Sequence, residues 1–244
     1  MNINIPKTPS ELGKNAANLV AVKLKEAIRE KGEARLLVST GSSQFETLAA
    51  LVVSDVNWAC VSVFHLDEYI GLKLTHPASF RKYLYERFID RIAVKAFYPV
   101  EGTGDVAENI RLLSAEILKK PIDVGVIGIG ENAHIAFNDP PADFETHSPY
   151  LIVHLDDRCK LQQVNEGWFP SLKEVPATAI SMSVNQIMKC KIIVSAVPHL
   201  VKAEAVAQTL GNDVTNLVPA TRLKQHPDWH LFLDANSASK VVRL

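Results

Sequence analysis

The sequence has little of several features that would narrow its class at once. It has only three cysteines, none close to another, so neither a disulfide framework nor a cysteine zinc site is expected. Its 26 basic and 27 acidic residues nearly cancel, which excludes a strong field of one sign for nucleic acid or acidic membranes. Its apolar runs, such as LAALVV at 48–53, are too short to span a bilayer, and the first residues lack the apolar core of a signal peptide.

These absences favour a soluble protein of the reducing cytoplasm. Its partner is expected to be a small molecule rather than a nucleic acid or a membrane. A hydrophobic content of 47% over 244 residues is enough for a sizeable core, and that length is ordinary for one α/β domain. Because no repeat or linker divides the chain, residues 1–244 are predicted to form a single domain, either monomeric or in a homo-oligomer.

Helical and strand patterns alternate along the chain. A helix is predicted from Pro9 to a stop at Gly32, and further helical patterns lie between most of the apolar segments that follow. The predicted strands are RLLVS, VSVFHL, DVGVIGI, LIVHL, AISMS, KIIVSAV and HLFLD. Several of them are continuously apolar, which is typical of a sheet covered on both faces. The prediction is a doubly wound α/β fold, a Rossmann-like three-layer sandwich whose mostly parallel sheet has RLLVS at its centre.

Ligands of such sheets bind beyond the carboxyl ends of the strands, so the loops that follow the strands are the expected place of a binding site. The loop after RLLVS consists of Thr40, Gly41, Ser42 and Ser43 and precedes a helix. Its backbone N–H groups could surround a phosphate, although a tight turn with a serine N-cap explains the same residues equally well. Lys202 would supply a cation if its strand lies beside RLLVS, but a lone lysine on a helix is usually solvated.

A pair of adjacent carboxylates follows the next strand, VSVFHL. Asp67 and Glu68 stand where a parallel sheet presents its ligands, so one of them is a candidate general base and the other a candidate substrate-binding group. The alternative is that they cap the following loop.

The segment GIGENAHIAFNDPP at 128–141 follows a third strand. Its start matches the G-x-G-x-x-A fingerprint of dinucleotide-binding folds, but the Asn-Asp-Pro-Pro run stops the helix that the fingerprint requires. What remains is His134, with Asn132 and Asp139 near enough in sequence to fix its tautomer. A lone histidine is more often structural than catalytic, but one among glycines, an amide and a carboxylate at a strand end is a catalytic candidate.

Together, TGSS, FHLDEYIGL followed by HPASF, and GIGENAHIAFNDP resemble the glucosamine-6-phosphate deaminase family. This family belongs to a larger group that also contains the 6-phosphogluconolactonases, and the similarity extends over most of the chain. The lactonases share the sheet and a glycine-rich loop with a histidine. The LDEY and HIAFNDP segments are closer to the deaminases.

The resemblance implies an isomerising deamination of a 2-amino-2-deoxyhexose 6-phosphate, with glucosamine or galactosamine as the sugar. The ring opens, a proton moves from C2 to C1, and ammonia leaves to give a ketose 6-phosphate, without a metal or an organic cofactor. By the resemblance, Asp67 is the proton-transferring base and His134 the ring-opening group. Lys202 and the loop at 40–43 hold the phosphate.

Four positions depart from the pattern of the family. Asn132 replaces an aspartate, Ala133 a glycine, and Asp139 a glutamate. Gln163 falls where an arginine that contacts the phosphate is usual, which removes a bidentate contact. A neutral amide at 132 also stabilises the charged imidazole less than a carboxylate would. Two alternatives therefore stay open: a hydrolase of sugar-phosphate lactones, and a sugar-phosphate-binding protein that has lost most of its catalysis.

Overall fold

The computed structural model describes residues 1–241. The strands in this range are β1 (Asn2–Asn4), β2 (Ala34–Val38), β3 (Val61–His65), β4 (Asp67–Tyr69), β5 (Ala96–Tyr98), β6 (Val124–Val126), β7 (Tyr150–His154), β8 (Thr178–Met182), β9 (Ile192–Val197) and β10 (Trp229–Leu233). The α-helices are α1 (Pro9–Lys31), α2 (Phe45–Val52), α3 (Phe80–Arg87), α4 (Val106–Leu118), α5 (Asp157–Asn165), α6 (Val184–Ile187) and α7 (Ala203–Gly211).

The main sheet has seven parallel strands in the order β1-β10-β9-β6-β2-β3-β5. The prediction that RLLVS is the central strand was wrong, since β6 occupies the middle and β2 lies beside it. The supposition that KIIVSAV lies beside RLLVS was also wrong, because β6 separates β9 from β2. β6 has only three residues, and all of them are buried because strands flank it on both sides and helices cover both faces of the sheet.

A second sheet, which the sequence patterns did not predict, contains β4, β8 and β7 in that order, all antiparallel. LIVHL and AISMS form strands as predicted, but they pair with each other in this small sheet rather than in the main one. The DEY segment was taken for a loop and is instead the edge strand β4. Exposed residues alternate with less exposed ones along β7, so one face of this strand is turned to solvent.

The two faces of the main sheet are both covered, as the continuous apolar strands predicted. Leu36 and Val38 of β2 point to the layer that contains α1 and α2. Leu37, between them, points to the layer that contains α4 and α7. Successive strand residues face opposite sides, so a strand covered on both sides must be apolar at every position. The doubly wound α/β fold is therefore confirmed.

The predicted bounds of α1 are confirmed by its capping groups. The Thr8 hydroxyl accepts a hydrogen bond from Glu11 N (3.2 Å), and Pro9 occupies the first helical turn. Gly32 ends the helix with φ 75°, a left-handed conformation that glycine adopts without steric cost. Among residues 1–241, no helix combines the length and the apolar character needed to cross a membrane.

Candidate active site

An open pocket with an empty volume of ≈ 580 Å³ lies beyond the carboxyl ends of β2, β3, β6 and β9. Parallel strands end at one edge of the sheet, so loops far apart in sequence meet there. Seven of the ten predicted site residues line it: Thr40, Gly41, Ser42, Ser43, Asp67, His134 and Lys202. The remaining three, Asn132, Asp139 and Glu68, do not.

The loop after β2 forms one wall of the pocket. Gly41 has φ 97°, which lets the chain turn sharply from the strand into the helical residues that begin at Ser42. The Tyr83 hydroxyl donates to the carbonyl of Gly41 (2.9 Å) and fixes the turn from outside. Ser42 heads a 3-10 turn that runs into α2, so backbone N–H groups at this helix start are available to an anion.

Lys202 reaches the same pocket from the loop after β9. Only 5% of the residue is exposed. Burial lowers the pKa of Lys202, while the negative charges of Glu166 and Glu131 oppose that effect. Among residues 1–241 its ammonium has no ion pair or hydrogen bond. A buried cation without a partner is costly unless an anion binds beside it.

Asp67 presents a carboxyl group to the pocket from the start of β4. Burial raises the pKa of Asp67 well above its usual value, and the nearby charge of Glu68 raises it further. Among the described residues no group donates a hydrogen bond to this carboxyl. A carboxyl with a raised pKa exchanges protons nearer to neutral pH, which is what a general base requires.

Glu68 does not face the pocket, so its expected role in substrate binding finds no geometric support. The side chain is fully buried and accepts hydrogen bonds from the Ser79 hydroxyl (2.8 Å), from Arg81 Nε (3.2 Å) and from the backbone N–H of Arg81 (3.0 Å). Because side chains alternate along a strand, adjacent Asp67 and Glu68 must point to opposite faces of β4. Glu68 fixes the start of α3, which is the capping role that the sequence left open.

The segment at 128–141 holds His134 outside regular structure. No helix follows it before α5, which removes the context that a dinucleotide fingerprint needs. Ala133 (φ 63°) and Ala136 (φ 50°) both have left-handed backbone conformations, which are strained for residues with a side chain. The backbone N–H of His134 donates to Asn132 Oδ1 (3.1 Å), which holds the turn closed.

Asn132 and Asp139 hold the imidazole of His134 from behind. His134 Nδ1 lies 2.6 Å from Asn132 Oδ1 and 3.2 Å from Asp139 Oδ1, and the Asn132 amide donates to the same carboxylate (3.1 Å). Burial alone raises the pKa of Asp139, but its hydrogen bonds and the charge of His134 leave that pKa below its usual value. Two acceptors at Nδ1 favour a proton there, so Nε2 is left with a lone pair.

A group that could hold a metal ion lies at the same place. Ligand atoms of His134, Asp139 and Cys159 lie within 4.8 Å of one another. Burial raises the pKa of the Cys159 thiol well above its usual value, and the negative charge of Asp139 adds to this. Asp139 makes side-chain hydrogen bonds with His134 and with the Cys159 thiol, which accounts for the closeness of these atoms.

Residue 130 must lack a side chain because the ring of His134 lies against it. A Cβ atom at residue 130 would lie 2.2 Å from His134 Cε1 and 2.3 Å from Nε2, well inside van der Waals contact. We expect Gly130→Ala to displace the ring and to lower kcat at least about tenfold, because small shifts of a reacting group are costly. Steady-state kinetics would measure this, with Gly211→Ala as the control, since nothing lies within 4 Å of a Cβ there. Equal kcat in both variants would contradict this account of the glycine.

Helix α5 and Glu166, the residue that directly follows it, supply pocket residues that the sequence patterns mostly missed. Gln162, Gln163 and Glu166 line the pocket, and Gln163 alone was noted in advance, as a missing arginine. Gln162 donates to Glu166 Oε1 (2.7 Å), and Glu166 Oε2 accepts from the indole N–H of Trp168 (3.0 Å) and from Ser42 Oγ (3.4 Å). Glu166 therefore ties this helix to the loop after β2. The available signal was the helical spacing of these three polar residues, which places them on one face.

Comparison with known proteins gives a consistent result. A family model described as glucosamine-6-phosphate isomerases/6-phosphogluconolactonase matches residues 7–231. Glucosamine-6-phosphate deaminase of Thermoanaerobacter pseudethanolicus is 34% identical over 99% of this chain and 95% of that protein. The Streptococcus pneumoniae enzyme of the same name is 34% identical over 89% of this chain and 93% of its own. A solved monomeric glucosamine-6-phosphate deaminase superposes with TM-score 0.88 at 27% identity, covering 98% of this chain and 100% of its own. The 6-phosphogluconolactonase of Trypanosoma brucei shares the fold (TM-score 0.81, 14% identity, 99% and 98% coverage).

Proposed function

The chain belongs to the family of glucosamine-6-phosphate isomerases and 6-phosphogluconolactonases, and we propose that it is a deaminase that converts glucosamine 6-phosphate to a ketose 6-phosphate and ammonia. The observation that carries the proposal is the meeting of Asp67, His134 and Lys202 in one pocket. These are a base with a raised pKa, an imidazole with a fixed tautomer and a buried cation without a partner. The proposal also includes that the chain forms a single domain, that it works in the reducing cytoplasm and that it needs no cofactor.

The phosphate group binds at the helix start after β2 and beside Lys202. Backbone N–H groups at this helix start and the lysine ammonium together can hold a dianion without the arginine that Gln163 replaces. His134 Nε2 accepts a proton from the anomeric hydroxyl and returns it to the ring oxygen, which opens the ring. The carboxylate of Asp67 then removes the C2 proton and delivers it to C1, while a proton passes from the amino nitrogen to O1, so that the C1 aldehyde becomes an alcohol and the C2 amine becomes an imine. Water hydrolyses the resulting C2 imine, which releases ammonia and leaves a ketone.

Lys202→Met is expected to raise KM for the sugar phosphate about tenfold or more with little change in kcat, because the lost contact to a charged group acts on substrate and transition state alike. The melting temperature should stay the same or rise, since the substitution removes a buried charge without a partner. Kinetics and thermal unfolding would measure both, with the surface variant Lys82→Met as the control. A lower kcat at unchanged KM would place the phosphate elsewhere.

An ammonia-release assay tests the function itself. Glucosamine 6-phosphate, galactosamine 6-phosphate and other 2-amino-2-deoxyhexose 6-phosphates would be compared, with 6-phosphogluconolactone in parallel. We expect ammonia release with glucosamine 6-phosphate as the best substrate. Lactone hydrolysis without ammonia release would establish the alternative enzyme, and tight binding without turnover would establish a binding protein.

A further inference from the structure

His65 is a fully buried histidine that the reaction described above does not use. It is the last residue of β3 and stands two residues before Asp67. None of its surface is exposed to solvent. Its backbone carbonyl accepts a hydrogen bond from the Tyr150 hydroxyl (2.8 Å), and Phe80 packs against its ring with centroids 6.4 Å apart. Tyr150 therefore anchors the backbone of His65, and Phe80 lies against one side of its ring.

The contacts of the two ring nitrogens differ. The backbone N–H of Val100 donates to His65 Nδ1 over a long 3.5 Å bond, which makes Nδ1 the acceptor. Nε2 then carries the proton, and among residues 1–241 it has no hydrogen-bond partner. Buried donors in proteins are nearly always hydrogen-bonded, so an orphaned one requires an explanation. Asp67 Oδ1 lies 4.0 Å from this nitrogen.

We propose that His65 is a positioning residue for Asp67, a neutral imidazole whose Nε2–H donates to the Asp67 carboxylate and holds it ionised and oriented toward the substrate. This inference rests on the proposed function of Asp67 as the base. The 4.0 Å gap exceeds a hydrogen bond, so the contact requires the Asp67 carboxylate to turn toward Nε2, and no hydrogen bond from residues 1–241 holds that carboxylate where it is.

The surrounding charges keep His65 a neutral donor. Burial lowers the pKa of His65 to about 3, and the positive charge of Arg81 from α3 contributes. The charge of Glu68 opposes ionisation of Asp67, while the phenols of Tyr69 and Tyr150 and the thiol of Cys159 have pKa values raised by burial and remain neutral. A hydrogen bond to the ionised carboxylate from His65 counteracts burial and Glu68, so it brings the pKa of Asp67 down toward the working pH.

The direction of the expected pH effect follows from the stabilisation of the Asp67 carboxylate by His65. Removing the donor leaves the Asp67 carboxylate less stabilised, so its pKa rises. The base is then protonated over a wider range at low pH, and the acid limb of kcat/KM moves to higher pH. At high pH the carboxylate is ionised in either case, and the rate there is restored.

Two variants of His65 separate hydrogen bonding from packing. His65→Leu removes the donor and keeps an apolar side chain, and His65→Gln keeps an amide N–H at similar reach. With glucosamine 6-phosphate as substrate, we expect His65→Leu to move the acid limb up by about one pH unit with KM unchanged, and His65→Gln to restore most of the shift. A His65→Leu limb that superimposes on the parent, or an equal shift in both variants, would overturn the inference.

A measurement on the unaltered protein keeps the inference testable if a variant fails to fold. Nitrogen-15 NMR of the histidine rings reports the tautomer, and carbon-13 in the aspartate carboxyls reports ionisation of Asp67. The His65 signal, assigned among eight histidines by correlation of its ring with its own backbone resonances, should show a neutral ring with the proton on Nε2. Its Nε2 shift should follow the Asp67 titration.

A proton on Nδ1, or an Nε2 shift that ignores the Asp67 titration, would refute the pairing. This readout needs no turnover, so it distinguishes the two failures. Absence of ammonia release from every aminosugar phosphate, with the NMR result as expected, would refute the proposed function and leave the contact between His65 and Asp67 standing.

Discussion

Asp67→Asn is expected to lower kcat about 100-fold or more with little change in KM, because loss of a general base is felt mainly in the transition state. The amide has the shape of the carboxyl but cannot accept the C2 proton. Apart from the contact inferred with His65, no hydrogen bond within residues 1–241 restrains the Asp67 side chain, so the substitution should leave the fold intact. Steady-state kinetics with glucosamine 6-phosphate and thermal unfolding would measure the two effects separately.

Asp123→Asn is the matched control for a buried aspartate. Asp123 lies at the opposite end of β6 from the pocket and accepts hydrogen bonds from Lys31 Nζ (2.5 Å) and from the backbone N–H of Arg35 (2.9 Å). We expect this variant to lose stability and to retain kcat. If Asp67→Asn kept near-normal turnover, the base would have to be another group, and Glu68 is the less favourable choice because Arg81 and Ser79 already occupy its carboxylate.

His134→Ala is expected to slow turnover of the ring-closed sugar about 100-fold or more, since proton transfer by a positioned side chain contributes that much. An open-chain analogue of the substrate bypasses ring opening. Its turnover should fall much less, so the ratio of the two rates reports the step in which His134 acts. Parallel kinetics with both compounds would measure this ratio.

His230→Ala serves as the control for loss of a histidine. His230 Nε2 lies 2.8 Å from Asp228 Oδ1, so it forms a similar contact with an aspartate, but it does not line the pocket. Its replacement should change neither rate. An equal loss with both compounds in His134→Ala would show that His134 acts after ring opening or only supports the loop, and its assignment to ring opening would then be wrong.

Local sequence patterns predicted the parts of the site that depend on chain neighbours. The small residues at 40–43 lie at the start of a helix, and the side chain of Asn132 contacts the ring of His134. Both features were predictable because turn chemistry and short-range hydrogen bonding act within a few residues. Glu68 was expected beside Asp67 in the pocket because the two residues are adjacent in sequence, but Glu68 lies outside the pocket lining. In a strand, the side chains of adjacent residues point to opposite faces. The sequence patterns did not show that DEY forms a strand.

The order of the strands in the sheet was harder to predict from the sequence than the presence of the strands. Continuous apolar runs predicted the strands and the covered parallel sheet, because burial on both faces requires apolar residues at each position. The order of strands in a sheet produces no comparable pattern in the residues of any one strand. β6 separates β2 from β9, yet Lys202 still reaches the pocket, because all these strands end at one edge.

The sequence by itself determined the fold class, the family and the candidate residues at three strand ends, since each of these depends on periodicity or on short motifs. Only the tertiary structure decided which residues share the pocket. It brought Gln162 and Glu166 to the loop at 40–43, buried Lys202 without a partner, and set His65 beside Asp67. These features depend on distances between segments that the chain joins only through the packed sheet, and burial, which sets the pKa values, exists only once that packing is complete.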